Sequence, residues 1–388
     1  MNYLVISPFY PENFQPFTIE LAKKEGVTVL GIGQEPYDQL PEELRQALTE
    51  YFRVENLENI DEVKRATAFL IYKHGPIDRV ESHNEHWLET DAQLREQFNI
   101  FGAKPNQLKR TKFKSEMKKY FKKADVPVAP GMVVKSEKDI AKAVKKIGFP
   151  MIAKPDNGVG ASGTFKLTKT ADLETFKEAW DGQTVYFFEK FIDSNIIVTY
   201  DGLVDSKGNV VFETSLAYTH TPLELLLSKK DNAYFIEKEL DPKLAEYGRA
   251  VIKAFGMKER FFHIEFFKDG KDYIAIEYNN RMAGGFTVES YNYAHSIDLF
   301  RDYANIVTGQ EVEERKFAPQ YCLVATRRDK TDYVHTAEEI KQRYAEHLKT
   351  VKDMPEAFAE LQGNHAYLLV TDSKQVLDEM IAFIGETK

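Results

Sequence analysis

The segment FHIEFFKDGKDYIAIEYNNR, residues 262–281, decides the fold prediction. Two apolar runs flank a polar turn at 268–271, and this pattern predicts an antiparallel β-hairpin. Glu265 and Glu277 fall at positions that can face the same side of the ribbon. Asn279 projects to that face as well, because alternate residues of a strand point the same way. The segment therefore brings two carboxylates and one amide together.

This trio of side chains suits a divalent cation. Two acids on an otherwise apolar hairpin repel each other unless a cation lies between them. Carboxylate and amide oxygens are the ligands that Mg²⁺ prefers in proteins. The alternative is a solvent-facing side of the ribbon, where acids carry no penalty. Arg281 adds a planar positive group just past the predicted metal site, and Gly284 and Gly285 would let a substrate approach the backbone closely.

A glycine-rich stretch, IAKPDNGVGASGT at residues 152–164, carries the second chemical signal. It contains the spacing of a dinucleotide fingerprint, but a strand-like run follows it where that fingerprint requires a helix. We therefore predict a hairpin tip whose uncovered N–H groups wrap an anionic phosphate, with Lys154 on the incoming strand to neutralise charge. An ordinary flexible hairpin is the alternative.

The N-terminal third predicts a separate α/β unit. Residues 1–104 alternate strand-like runs (3–6, 27–32, 77–81) with helical patterns (16–25, 61–73, 87–97). Such alternation favours a small parallel sheet wrapped by helices. The first strand ends in Ser-Pro-Phe-Tyr-Pro and lacks the glycine turn of a dinucleotide site, so the unit is Rossmann-like in outline only.

The rest of the chain predicts a change to antiparallel-rich α+β structure, with a smaller α/β tail over residues 313–388. Between the N-terminal unit and these strands lies a basic segment, residues 109–123, in which apolar residues recur at helical spacing. We interpret it as one helix, with most of its lysines solvated. The single cysteine, Cys322, lies in a run that predicts a buried strand.

Composition excludes several functional classes. The net charge is −9, so no general attraction to nucleic acid or to an anionic membrane is expected. No apolar run approaches the roughly 20 residues needed to cross a bilayer. The chain starts directly with a strand-like run and without a signal-peptide pattern, and a cytoplasmic location is therefore expected.

Together these segments resemble the ATP-grasp superfamily, whose members include biotin carboxylase, carbamoyl phosphate synthetase, D-alanine–D-alanine ligase and the L-amino acid ligases. The resemblance covers about residues 1–312 in order and is weaker in the tail. It implies a pre-ATP-grasp domain (1–104), an ATP-grasp domain (105–312) with lobes of about 115–190 and 191–312, and a C-terminal subdomain (313–388).

The resemblance also assigns site residues. Lys114, upstream of a Val-Pro turn, and Lys154 match the two nucleotide lysines, and the E-x-N-x-R pattern that ends in Arg281 matches the family's metal and substrate residues. Phe113 and Asn195 depart from the family pattern near the nucleoside. The implied nucleotide-binding residues are Lys114, Lys154, Gly158, Gly160, Ser162, Gly163, Glu189, Lys190, Phe191 and Ile192, and the implied metal ligands are Glu265, Glu277 and Asn279.

The resemblance implies a ligase that uses ATP and Mg²⁺, with Mn²⁺ as an alternative ion, to activate a small-molecule carboxylate as an acyl phosphate for attack by an amine. Arg281 and Lys154 are its implied catalytic residues, and Arg281, Gly284 and Gly285 its substrate residues. Glu85, in a polar loop after a strand, and His220, at the end of a strand, are further candidates for contact with the substrate, and a structural role is the alternative for each. A homodimer is a reasonable expectation. Bicarbonate as the activated acid is the main alternative. An NAD-dependent oxidoreductase is disfavoured because this chain lacks the glycine turn after its first strand. A nucleotide-binding regulator without turnover is disfavoured because the predicted metal residues and Arg281 are all present.

Overall fold

The computed structural model describes residues 1–158, 163–194, 196–220, 231–312, 318–354, 359 and 362–388. Within these ranges the strands form three sheets: a parallel sheet at the N-terminus, a small antiparallel sheet in the middle, and a large antiparallel sheet that continues to the C-terminus. The predicted mixture of α/β and α+β structure is confirmed. In the described part of the chain, none of the helices combines the length and apolar character that spanning a bilayer requires.

The N-terminal sheet is parallel with the order β3-β2-β1-β4, as the alternating pattern predicts. Fully buried runs such as Tyr3–Ile6 are typical of a parallel sheet that is covered on both faces. The sequence analysis missed the short third strand. The elements are β1 (Asn2–Ile6), α1 (Gln15–Ala22), β2 (Thr28–Gly33), α2 (Glu42–Ala47), β3 (Glu50–Arg53), α3 (Ile60–His74), β4 (Arg79–Glu81) and α4 (Leu88–Gln97).

The basic segment forms two helices, α5 (Pro105–Lys112) and α6 (Lys114–Lys123), so the prediction of one continuous helix was wrong. Phe113 between them is extended, with φ −92° and ψ 121°. The reason lies in Asp156, whose carboxylate accepts hydrogen bonds from the backbone N–H and the hydroxyl of Ser115, both at 2.7 Å. The backbone carbonyl of Asp156 also accepts from the Lys114 N–H at 2.9 Å, so this distant residue satisfies the first two N–H groups of α6.

The small sheet has the order β5-β8-β6-β7 and is antiparallel throughout. The glycine-rich stretch joins β6 to β7, whose residues pair from Met151↔Leu167 to Ala153↔Phe165, so the predicted hairpin is confirmed. The elements are β5 (Gly131–Val134), α7 (Glu137–Ile147), β6 (Met151–Pro155), β7 (Phe165–Leu167), α8 (Thr170–Ala179) and β8 (Tyr186–Lys190).

The large sheet begins with β9 (Ile197–Val204), β10 (Val210–Thr214), β11 (Leu216–Tyr218) and β12 (Ala233–Ile236). After α9 (Pro242–Phe255), it continues with the predicted hairpin, β13 (Arg260–Asp269) and β14 (Asp272–Asn279), followed by α10 (Thr287–His295) and α11 (Leu299–Val307). The order of these strands within the described residues is β14-β13-β9-β11-β12, with β10 beside β9. Beyond β12 the sheet continues with β15 (Tyr321–Arg327), β17 (His365–Thr371) and β16 (Leu348–Asp353), in that spatial order.

The C-terminal segment supplies the last strands of the same sheet, because β15 pairs with β12. Its elements are β15 (Tyr321–Arg327), α12 (Ala337–Arg343), β16 (Leu348–Asp353), β17 (His365–Thr371) and α13 (Lys374–Gly385). Cys322 lies in β15 and is fully buried, as predicted, and burial raises the pKa of its thiol to about 12. The domain boundaries remain a prediction from the sequence.

An aromatic core joins the N-terminal unit to the large sheet. Phe17 of α1 packs edge to face against Phe261 of β13 and against Phe300 and Tyr303 of α11, with ring centroids 4.7–5.6 Å apart. The hydroxyl groups of Tyr3 and Tyr303 lie 2.7 Å apart across the same boundary. These contacts fix the N-terminal unit against the strand that carries Glu265.

Candidate active site

The hairpin β13–β14 places the predicted metal residues on one face. Glu265 pairs directly with Glu277, and His263 pairs with Asn279. Glu277 and Asn279 are alternate residues of β14 and therefore point to the same side, which Glu265 shares as the direct partner of Glu277. The register shift lies beyond this pair, between Glu265 and Phe266, and does not disturb the arrangement. Both carboxylates are partly open to solvent, at 18% for Glu265 and 17% for Glu277. The face is therefore accessible to a ligand.

Positive groups surround these two carboxylates. Lys114 Nζ lies 3.4 Å from Glu277 Oε1, and His263 Nε2 lies 3.2 Å from Glu265 Oε1. Burial would raise the pKa of Glu265, but His263, Arg281 and Lys154 outweigh it, so that this pKa is lowered. Two carboxyl groups opposite each other, with an amide beside them, have the oxygen donors that Mg²⁺ requires. No group of three or more His, Cys, Asp or Glu side chains suited to a metal occurs in the described ranges, so this mixed set carries the metal prediction alone there.

A buried polar chain supports Glu265 from behind. His263 Nδ1 lies 2.7 Å from Asp201 Oδ1, and the Tyr291 hydroxyl donates to Asp201 Oδ2 at 2.9 Å. Burial lowers the pKa of His263, but Asp201 and Glu265 outweigh this effect and raise it to about 9. The protonated ring can therefore donate to both carboxylates and fix the direction of Glu265.

Lys154 and Glu189, both predicted nucleotide residues, contact each other. Lys154 Nζ lies 2.5 Å from Glu189 Oε1, and Lys118 Nζ lies 2.9 Å from Glu189 Oε2. All three side chains are largely buried. Burial raises the pKa of Glu189, but the two lysines outweigh it and lower the pKa to about 2. The predicted contact of Glu189 with adenine would have to come from a carboxylate that already has two cationic partners.

Lys118 was not predicted as a site residue, because most lysines of the basic segment were expected to be solvated. Lys118 follows Lys114 by four residues on α6, so both side chains emerge on the same face of the helix. Lys118 Nζ also donates to the carbonyl of Ala275 in β14 at 3.2 Å. The signal in the sequence was this four-residue spacing from a predicted nucleotide lysine.

The segment after Glu189 crosses between the sheets. Lys190 Nζ donates to the Phe149 carbonyl at 3.1 Å, and Lys166 Nζ lies 3.8 Å from the centre of the Phe191 ring. Phe191 and Ile192 are half-buried. The N–H groups of Lys190 and Phe191 donate to the carbonyls of Pro130 and Pro150, at 2.8 and 3.2 Å.

The glycine hairpin approaches the two carboxylates through Lys114. Lys114 Nζ donates to the Gly158 carbonyl at 2.6 Å. Gly163 has φ +68°, a conformation that favours glycine. Gly160 and Ser162, predicted phosphate contacts, lie outside the described residues, and so does Asn195.

Arg281 contacts the N-terminal unit. Its Nε donates to Glu85 Oε2 at 2.8 Å, so the structure brings together two residues predicted to bind substrate. An added Cβ on Gly284 would have no atom within 4 Å, whereas one on Gly285 would lie 2.8 Å from Gln362 Oε1. His220 is half-buried and lies at the edge of the described residues, with its Nδ1 3.1 Å from the Thr219 hydroxyl.

Comparison with known proteins identifies the family of this chain. The model of the carbamoyl-phosphate synthase L chain ATP-binding domain matches residues 113–315, just over half of the chain. An L-arginine-specific L-amino acid ligase of Bacillus subtilis is 25% identical over 63% of this chain and 61% of its own length. The sequence match thus spans less than two thirds of that relative.

Solved structures share the fold over nearly the whole chain. An L-amino acid ligase from Bacillus licheniformis has a TM-score of 0.75 at 16% identity and covers 98% of this chain and 95% of its own. A biotin carboxylase domain of the Hydrogenobacter thermophilus 2-oxoglutarate carboxylase, solved as a dimer with MgADP and bicarbonate, has a TM-score of 0.72 at 16% identity and covers 100% and 90%.

The matched family model and the shared fold show that this chain is an ATP-grasp protein. Within that class, the chain belongs to the family of the carbamoyl-phosphate synthase L chain ATP-binding domain. The matched family and the MgADP-bound neighbour support ATP and Mg²⁺ as the ligands of its site.

Proposed function

We propose that this protein is an ATP-dependent ligase that activates a small carboxylic acid as an acyl phosphate and couples it to an amine, releasing ADP and phosphate. One observation carries the proposal: Glu265 and Glu277 lie opposite each other on one strand pair, within reach of Lys114 and next to Arg281. Phosphoryl transfer requires such a combination of oxygen ligands for a cation and fixed positive groups for the phosphates.

Glu265, Glu277 and Asn279 would hold Mg²⁺, or Mn²⁺ in its place. When bound, the ion offsets phosphate charge. Lys114 and Lys154 would contact the phosphates, the backbone at 190–192 the base, and the glycine hairpin would cover the triphosphate. The hairpin and Lys114 already touch through the Gly158 carbonyl, so the cover and the phosphate site are linked. Excluding water in this way protects an acyl phosphate from hydrolysis.

Arg281 would bind the carboxylate that is activated. In the described structure the Arg281 Nε–H donates to Glu85 Oε2 at 2.8 Å, and both side chains are partly open to solvent. A substrate carboxylate would replace Glu85 on the guanidinium, and Glu85 would then face any ammonium group on the same substrate. This exchange favours an amino acid as the activated acid. The open space beside Gly284 provides room for it, and His220 lines the same cleft in this proposal.

The second candidate is a bicarbonate-activating enzyme, which the MgADP–bicarbonate complex of the H. thermophilus neighbour favours. Bicarbonate has a single charge and no ammonium group, so it would use Arg281 and leave Glu85 without a partner. A cytoplasmic location and a homodimer belong to the proposal as expectations.

An ADP-release assay over amino acids, singly and in pairs, with and without bicarbonate, tests the function. We expect ADP release to require Mg²⁺ and the amino acid whose carboxylate is activated. The release should increase when an amine partner is added. Release that depends on bicarbonate alone would select the second candidate. Glu277→Gln is the matched loss-of-function variant, and Glu237→Gln, a glutamate far from the hairpin acids in the sequence, is its control.

Absence of ADP release across the panel, from protein that still binds MgADP, would overturn the ligase proposal for these substrates. Absence of MgADP binding by calorimetry would overturn the nucleotide site as well. The two measurements therefore separate a wrong substrate class from a wrong site.

A further inference from the structure

The buried contact between Lys154 and Glu189 poses a problem for nucleotide binding. Lys154 Nζ is 2.5 Å from Glu189 Oε1. If Lys154 is to contact a phosphate, it must weaken this contact. A carboxylate that loses its only cationic partner inside a protein is strongly destabilised. Glu189 therefore needs another partner for the exchange to be feasible.

Lys118 meets that requirement. Its Nζ lies 2.9 Å from the other oxygen of Glu189, and it also donates to the Ala275 carbonyl at 3.2 Å. Ala275 lies in β14, two residues before Glu277. Lys118 is thus attached to the strand of the predicted metal ligands and to the carboxylate that holds Lys154.

Accessibility distinguishes the two lysines. Lys154 is the more exposed of the pair, at 11% against 7% for Lys118, and its charge interacts with Glu265 and Glu277 on the hairpin face. Lys118, on α6, has two protein partners on other elements: the Glu189 carboxylate on β8 and the Ala275 carbonyl on β14. Lys154 can therefore exchange Glu189 for a ligand, whereas Lys118 stays.

We propose that Lys118 is a positioning residue for nucleotide binding: it keeps Glu189 neutralised when Lys154 moves from Glu189 to a nucleotide phosphate. The inference rests on the proposed ATP site and adds a residue that takes no part in contacting the nucleotide itself. Without Lys118, Glu189 would retain Lys154, and phosphate binding would compete with a buried ion pair.

The test compares Lys118→Met with Lys119→Met, an exposed neighbour on the same helix that pairs with Glu116. Dissociation constants for MgADP and for adenosine, which has no phosphate, are measured by calorimetry on the full chain, with thermal unfolding of each variant. We expect MgADP affinity of Lys118→Met to fall about tenfold or more, as the loss of a charge-assisted contact suggests, with a much smaller change for adenosine. Lys119→Met should match the wild type.

A double variant, Lys118→Met with Glu189→Gln, supplies the decisive readout. The amide no longer holds Lys154, so we expect the effect of Lys118→Met to disappear: the MgADP affinity of the double variant should equal that of Glu189→Gln alone, which carries any loss of the predicted adenine contact. A merely structural role would lower binding of MgADP and adenosine alike and would persist beside Glu189→Gln. If Lys118→Met does not fold, Lys118→Gln, which keeps a polar N–H donor without the charge, replaces it in both comparisons.

Wild-type affinity in the Lys118 variant, or a double variant that binds MgADP more weakly than Glu189→Gln alone, would overturn the inference and leave the proposed function intact. A wild-type chain that does not bind MgADP would overturn both. Phosphate-selective loss that disappears beside Glu189→Gln supports Lys118 as the residue that frees Lys154.

Discussion

Two buried glutamates in this molecule each sit between two cations, yet their surroundings differ. Glu189 lies between Lys118 and Lys154 at the predicted nucleotide site. Glu81, at the end of β4, lies between Arg95 and Arg260 where the N-terminal unit meets the large sheet. In both, cationic neighbours overcome burial and lower the glutamate pKa to about 2. Each glutamate thus has two cationic side chains as partners.

The cations make the difference. Arg260 donates to both oxygens of Glu81, and also to Asn280 Oδ1 at 3.0 Å and the Asn280 carbonyl at 2.9 Å. A guanidinium that makes several bonds in fixed directions is held in one place, whereas a lysine ammonium is a single point on a flexible stem. The Glu81 cluster therefore holds the N-terminal unit against the large sheet, whereas the Glu189 cluster allows Lys154 to exchange its partner. Charge alone does not distinguish a structural ion cluster from a ligand site.

Arg260→Met should have the largest effect on stability. It leaves Glu81 with one partner in a buried setting, and removing one member of such a pair costs about 3–5 kcal/mol. We expect a loss of that size in the free energy of unfolding measured by urea titration. Arg249→Met, which breaks an exposed pair with Glu213, should cost under about 1 kcal/mol. Equal losses in the two variants would contradict a cohesive role for the Glu81 cluster.

Lys154→Met should have the opposite profile. Lys154 contributes one ion pair, to Glu189, whereas Arg260 makes four hydrogen bonds, so we expect a smaller change in the melting temperature than for Arg260→Met. The loss of a fixed cation beside a transferring phosphate should lower kcat/KM for ATP by about 10²–10³-fold. Lys145→Met, an exposed lysine of α7, is the control. A Lys154 variant that unfolds as readily as the Arg260 variant but turns over normally would remove the distinction between the clusters.

His83 extends the comparison to pH, because it is buried beside the Glu81 cluster and stacks on Phe17 at 4.2 Å. Burial lowers its pKa to about 4 from an ordinary 6.5. Above pH 6.5 the ring is neutral in both folded and unfolded chains, and below it the unfolded chain binds a proton first. Stability therefore falls from pH 6.5 towards 4, by up to about 3 kcal/mol for this group.

His83→Asn should reduce that fall, since asparagine has no proton to bind and tolerates the positive φ of +60° at this position. The difference between the unfolding free energies of the two proteins, measured from pH 7 to 4, isolates the histidine from other groups. A difference that stays constant across this range would show that His83 does not titrate in this way.

Arg79→Lys should have the smallest effect. Arg79 is half-exposed, donates to both oxygens of Glu259, and stacks on Phe101 at 4.1 Å. Lysine keeps the charge but loses the fork and the stacking, so we expect about 1 kcal/mol or less in urea unfolding. A loss of unfolding free energy as large as that of Arg260→Met would show that the Arg79–Glu259 pair also contributes strongly to the contact between the N-terminal unit and the rest of the chain.

Local patterns predicted much of the fold. Strand alternation around the turn at 268–271 was enough to pair Glu265 with Glu277, because a hairpin fixes its own register. The glycine hairpin and the parallel N-terminal sheet were predicted for the same reason. The roles assigned to these residues stay predictions.

Contacts between distant segments could not be predicted. Asp156 binds Ser115, 41 residues away, at the start of α6, and Arg281 meets Glu85 across 196 residues. Lys118 was taken as solvated because a lysine is rarely buried without a partner, and its partner lies on another element. Spacing along a helix shows which side chains share a face, but only the packed fold shows what that face meets.

The continuity of the large sheet limits how the chain can be shortened. β12 has β15 as its neighbour through four residue pairs, from Ala233↔Ala325 to Ile236↔Cys322. A fragment ending at residue 312 would leave those backbone groups on an open edge and uncover the apolar side chains packed there. Such edges recruit other strands. Trimming the C-terminal residues to obtain a minimal nucleotide-binding fragment is therefore expected to give an aggregating product.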